Sequence, residues 1–398
     1  MTQTPEASVA EAAVPDSAAA AAPDPATAAA PDPATAAAPD PATAAAPHPA
    51  RAASSAERPQ AAPRAPGGAA PRARDPHLDN AKFLAILLVA GGHGLSGLRD
   101  VPLAAALWNF IYLFHMPLFV MVSGYLSKRF TLSDDKAVRL VGSTVAPYLI
   151  FQCAYSLFAW GVDGRAFQFD VLDPYYLTWF LLALFVWRLL TPVWRRLRFP
   201  LATAVLVALL TYMSDIGNTL DLYRILGLAP FYVLGLTLSP EVIQIVRRPW
   251  ARITGALLLA AALAGAYLSQ DRMNARWLNW DTSNADLGVD ELTGTLMRAG
   301  LLLAGTVLIL AFLAITPSRR TWYSDLGAAT IYGYLLHGFL TRLFTFEGWN
   351  DLAFFDTIPG VLAVVLACFV AVTVLSTSPV RRVTRWAVEP GMRPLFGR

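Results

Sequence analysis

Lys82 and His93 form the pair of side chains from which chemistry is most directly read. Their separation is close to three turns of an α-helix, so the two project from one helix face within about 20°. An ammonium at the mouth of a cavity pairs with an anion, while a neutral imidazole deeper in accepts a proton near neutral pH. Gly91, Gly92 and Gly94 surround His93 and remove side-chain bulk, which lets a ligand or a neighbouring helix approach the backbone. His115 and His337 also lie inside apolar runs, whereas His48 and His77 belong to the N-terminal segment or its end. Ionisable groups are costly in hydrocarbon and face a bundle interior or a wet cavity. At ~1.5 Å per residue, His93 lies about 16 Å beyond Lys82, His115 about 20 Å from Lys128 and His337 about 18 Å from Asp325, so all three are expected at similar mid-bilayer depth. Pro117 predicts a kink just past His115, a reason for polar groups nearby that involves no chemistry.

The elements that carry these residues are apolar runs near Phe83–Leu98, Pro102–Leu126, Val138–Trp160, Tyr175–Val193 and Phe199–Met213. Five more follow near Leu222–Leu238, Ile253–Leu268, Ala299–Ile315, Leu326–Leu340 and Ile358–Val374. Each is around the length needed to cross hydrocarbon, which predicts an all-α polytopic membrane protein of about ten transmembrane helices. The intervening charges alternate. Lys128, Arg129, Lys136 and Arg139, then Arg195, Arg196 and Arg198, then Arg247, Arg248 and Arg252, then Arg319 and Arg320 mark every second loop as cytoplasmic, and Arg381, Arg382 and Arg385 follow the last run. The other loops are acid-rich, with Asp163, Asp170 and Asp173, then Asp215 and Asp221, then Asp281, Asp286, Asp290 and Glu291, then Glu347, Asp351 and Asp356. Both termini are thus predicted cytoplasmic, in the plasma membrane. The longest outer loop, about 269–298, sets Trp277 and Trp280 beside acidic residues, a pattern of interfacial anchors or of a sugar-holding surface.

Composition agrees: 56% of residues are hydrophobic and 15% charged, a balance that a bilayer absorbs and a soluble chain of this length does not solvate. The net charge of +3 resides in short clusters, which argues against a nucleic-acid partner. Cys153 and Cys368 have neither metal-ligand nor redox spacing, so no metal site is expected. No secretory signal precedes the first run, which is expected to direct its own insertion. Residues 1–77 repeat Ala-Ala-Ala-Pro-Asp-Pro-Ala-Thr and read as a disordered cytoplasmic tail, because the prolines break helices and the alanines offer too little apolar area to offset ordering. Arg51 to Arg74 form its basic approach to the membrane. The membrane domain is placed at 78–382 and a cytoplasmic C-terminal tail at 383–398.

Four segments in order carry a family resemblance. Leu78 to His93 reads Leu-Asp-Asn-Ala-Lys-Phe-Leu-Ala-Ile-Leu-Leu-Val-Ala-Gly-Gly-His, Phe-His-Met-Pro-Leu-Phe at 114–119 precedes Ser-Gly-Tyr at 123–125, and Trp-Phe-Leu at 179–181 and Tyr-Leu-Leu-His at 334–337 follow. Together they resemble the membrane acyltransferase-3 superfamily, and its fucose 4-O-acetylase-like branch most. The resemblance implies transfer of an acyl group, usually acetyl, from cytoplasmic acyl-CoA to a hydroxyl of a sugar, surface glycan or similar acceptor, with no tightly bound cofactor. It implies His93 as catalytic base and Lys82, standing where Arg is frequent, as a contact to an anionic part of the donor. Arg188 is a further donor-binding candidate, and His115, His337, Ser123 and Trp179 are candidates for acceptor binding or for support of the base.

Two other classes fit parts of the pattern. A polytopic transporter also places polar groups at mid-depth, although matching motifs in the two halves are lacking. A scaffold holding partners through the tail is the third. A serine hydrolase is excluded because Met-Val-Ser-Gly-Tyr at 121–125 is not a nucleophile elbow.

Overall fold

The computed structural model describes residues 75–217 and 219–391. Most of the tail expected at 1–77 lies outside the described residues, as do 392–398. Among the described residues all regular structure is helical. The principal helices are α1 Pro76–Leu95, α2 Pro102–Tyr112, α3 His115–Leu126, α4 Asp134–Asp163, α5 Trp179–Trp194, α6 Pro200–Tyr212, α7 Leu222–Gly227, α8 Ala229–Thr237, α9 Pro240–Val246, α10 Pro249–Leu268, α11 Glu291–Ile315, α12 Thr330–Phe346, α13 Ile358–Leu375 and α14 Ser378–Val388. Five helical stretches are long and apolar enough to cross a membrane, six when the pair joined near Leu228, bent by 45°, counts as one span. α14 crosses residue 382, where the membrane domain was expected to end.

Prolines account for the interruptions. The run 102–126 divides at Leu113 and Phe114, four and three residues before Pro117, whose ring excludes the carbonyl one turn earlier. The kink therefore precedes His115, which becomes the first residue of α3. A π-helical turn at Val141–Val145 precedes Pro147 in α4, and the bend at Leu228 precedes Pro230. The eighth apolar run begins earlier than its hydropathy suggested. Asp290 caps α11 by accepting from Thr293 N at 3.0 Å, so the loop before it ends at 290 and Arg298 lies within the helix.

The loops sort by charge between the two ends of the bundle. At one end Asp75 pairs with Arg247 at 2.6 Å, Asn80 donates to the carbonyls of Pro317 and Arg319, Lys128 donates to Leu238 O and Arg195 to Phe130 O. At the other, Gln152 donates to the carbonyls of Asp170 and Asp173, Leu220 N to Leu172 O, and Arg224 joins Asp221 to Asp281 at 2.6 Å each. The first end holds the basic loops and the second the acid-rich ones.

Close packing at the centre depends on glycine. α3 and α8 run so near each other that a Cβ on Gly124 would overlap Tyr232 O, and one on Gly235 would overlap Met121 O. Backbone on both sides leaves nothing that can turn aside. Gly235→Ala is expected to cost roughly 1–3 kcal/mol and to lower the thermal midpoint by several degrees, from overpacking. Gly300→Ala, where a Cβ meets open space, is the control and is expected to be neutral or slightly stabilising in the same thermal-unfolding assay of detergent-solubilised protein.

Candidate functional site

α1 delivers His93 to the acid-rich end of the bundle, third from the last residue of its helix. The glycines around it admit other helices: a Cβ at Gly92 would press on Tyr112 and Ile111, one at Gly91 on Phe369 and one at Gly94 on Cys368. Beside His93 lies a cavity of about 380 Å³, lined among others by Tyr112, His115, Tyr176, Trp179, Arg224, Trp280 and Arg342. Pro174, Tyr176 and Asn279 bring two acid-rich loops to its wall.

The three histidines of the apolar runs converge. The His93 and His337 rings are 5.5 Å apart, and Tyr112 stands between His93 at 6.1 Å and His115 at 4.6 Å. They gather toward the end of α1 that carries His93, and not at its middle. His115 Nδ1 donates to Ile111 O at 2.8 Å and His337 Nδ1 to Gly333 O at 2.9 Å, each one turn back on its own helix. A carbonyl only accepts, so both neutral rings carry their lone pair on Nε2.

His93 is held differently. Its Nδ1 lies 3.0 Å from Tyr176 Oη, which lies 3.0 Å from Thr341 Oγ1, and Thr341 reaches Gly338 O at 3.2 Å. With the threonine proton on that carbonyl, its oxygen accepts from Tyr176, and the phenol oxygen then accepts from His93 Nδ1–H. Nε2 of His93 is left with the lone pair of a base. A phenol is neutral near pH 7, so Tyr176 is a neutral link in this chain.

Strain collects at the same place. All the non-glycine residues with positive φ among the described residues, Tyr176, Leu220, Asp221 and Trp280, belong to loops at this end. Each costs about 1–3 kcal/mol and persists because surrounding contacts hold it. For Trp280 those contacts centre on Arg298, wholly buried, which donates to Trp277 O and Thr282 O and lies over Tyr212 at 3.9 Å, Trp277 at 4.8 Å and Trp280 at 5.6 Å.

The expected site residues separate into two groups. His93, His115 and Trp179 line the cavity, and His337 abuts His93 while lining a second, apolar cavity between α1, α12 and α13. Lys82, Arg188 and Ser123 line neither. Lys82 pairs with Asp79 at 2.8 Å near the basic end, and Ile86 and Val89, both wholly buried, lie between it and His93 on their common face. Arg188 lies near the far end of α5 from Trp179.

Tyr176, Thr341, Arg224 and Arg342 are the site residues that the sequence did not single out. Arg342 had a signal: it follows His337 within α12, but the apolar run was closed at Leu340, which made it a loop residue. Tyr176 had none: it stood at the start of the fourth apolar run, and a tyrosine there is ordinary until its partners are known; the structure puts it in the loop before α5.

The model of the family described as Acyltransferase domain matches residues 75–377, more than half of the chain. No curated protein and no solved structure matches it.

The hydrogen-bond chain sets the tautomer of His93, which is measurable without any assay of activity. In protein labelled with ¹⁵N-histidine, His93 is expected to show a protonated Nδ1 and a bare Nε2, and Tyr176→Phe to return it toward the Nε2–H form of free imidazole. An unchanged spectrum in the variant would remove Tyr176 from this role.

Proposed function

The chain belongs to the membrane acyltransferase-3 superfamily, and we propose that it moves an acetyl or similar acyl group from cytoplasmic acyl-CoA to a hydroxyl of a sugar, surface glycan or related acceptor, with His93 as general base. The observation that carries this reading is the chain from His93 Nδ1 through Tyr176 to Thr341, which leaves Nε2 able to accept a proton beside a cavity large enough for a sugar ring. In the reaction, Nε2 takes the hydroxyl proton while the acceptor oxygen attacks the thioester carbonyl. The C–S bond then breaks, and the departing CoA thiolate takes the proton back from the imidazolium.

We further read the protein as plasma-membrane, with ten spans, both termini cytoplasmic and a place in the fucose 4-O-acetylase-like branch. The charge sorting of the loops supports this orientation, since positive loops stay inside. His93 then lies toward the outer face, and Lys82 about 16 Å below it toward the cytoplasm. Lys82, with Arg188, is the proposed contact for the anionic part of the donor. Because Ile86 and Val89 fill the face between Lys82 and His93, a thioester passing along it must displace that packing. His115, His337 and Trp179 support the base or hold the acceptor from the cavity's edge, and Ser123 supports them from α3.

Acyl transfer from labelled acetyl-CoA, measured in membranes across several glycosides and surface glycans, tests the proposal. His93→Ala is expected to lower turnover by about 10²–10⁴-fold with the protein level unchanged. Transfer at the rate of the unmodified chain would sink the base role, and no transfer to any hydroxylated acceptor by the unmodified chain would sink the activity.

A further inference from the structure

The cavity beside His93 has an uneven charge balance. Its lining holds two guanidiniums, Arg224 and Arg342, and no carboxylate. Arg224 is satisfied by Asp221 and Asp281, at 2.6 Å each, and by Asn279 O at 2.9 Å. Arg342 is not. Among the described residues it has no ion pair and no hydrogen bond, and its Nε is buried without a partner. Its guanidinium lies over the Tyr176 ring at 4.0 Å, and the hydroxyl of that ring touches His93.

Arg342 is half-buried, and a guanidinium keeps its charge, so the part of it taken out of water must be compensated by contacts. An aromatic face supplies part of this. It leaves the N–H fork unused, and a fork of parallel donors matches the two oxygens of a carboxylate or a phosphate. We infer that the cavity binds an anionic oxygen group of a substrate through Arg342, with Tyr176 as the ring that sets the guanidinium's plane. The arrangement fits an acceptor such as a uronic-acid sugar or a phosphorylated glycan, docked with the anion on Arg342 and a hydroxyl at His93. Both residues line the cavity, and Tyr176 touches each of them, with its ring face under the guanidinium and its hydroxyl on His93 Nδ1. The anionic groups of the donor share this chemistry, and the test distinguishes them.

This inference deepens the acyl-transfer reading by giving a substrate its charge, and it is tested by binding without turnover, so that either can fail alone. The full chain in nanodiscs of neutral lipid is titrated at low salt with glucuronate, with methyl glucoside as the neutral match and with coenzyme A as the donor-derived anion. At least tenfold tighter binding of glucuronate than of methyl glucoside, lost in Arg342→Gln, partly kept in Arg342→Lys and unaffected in the exposed control Arg320→Gln, assigns the anion to the acceptor. The same pattern for coenzyme A but not for glucuronate assigns it to the donor. Equal binding of charged and neutral ligands by the unmodified chain, or anion binding undiminished in Arg342→Gln, overturns the inference. The comparison within the unmodified chain decides the matter even where a variant fails to fold.

Discussion

An arginine in an apolar bundle cannot lose its charge, and the acid-rich end of this protein is arranged around three of them. Arg298 is enclosed by two backbone carbonyls and the faces of Tyr212, Trp277 and Trp280, which holds the loop from Trp277 to Thr282 against α11. Arg224 ties that loop to the segment before α7 through Asp281 and Asp221. These two set the cavity wall, and Arg342 faces the space they enclose. Removing Arg298 or Arg224 would leave carbonyls or carboxylates without their partners, a larger loss than the contact itself.

The histidines illustrate how backbone geometry decides side-chain chemistry. His115 and His337 each return Nδ1–H to a carbonyl one turn earlier, an arrangement any helical histidine can reach. His93 instead meets a phenol from a loop and a threonine from another helix. A hydroxyl partner can shift as the ring gains charge, whereas a carbonyl already bonded within its helix has little freedom. That difference singles out His93 as the ring whose protonation the surroundings can follow.

Charge also organises the molecule over its whole length. Basic loops meet at the end where α1 starts, and acid-rich loops meet at the end where α1 delivers His93. Lys82 and His93 lie on one face and yet at different ends of the packing, with Ile86 and Val89 between them. A shared helix face is therefore a direction, and whether it is also a passage depends on what packs against it.

The sequence by itself determined the helical class, the membrane character and the alternation of loop charge, because hydrophobic length and charge bias are local properties of the chain. It also picked out His115 and His337, whose rings the structure gathers near His93. It did not reveal Arg298 or Arg342 as residues of the helices, because the eighth and ninth apolar runs were bounded at Ala299 and Leu340, just short of these charges, while α11 and α12 continue through them. The partners that make those charges tolerable come from distant segments: carbonyls at 277 and 282 for Arg298, and a tyrosine at 176 for Arg342. Only the tertiary structure decided which polar groups meet. The bonds that define the site, from α1 to the Tyr176 loop to α12, join residues whose proximity is a property of packing and not of spacing along the chain.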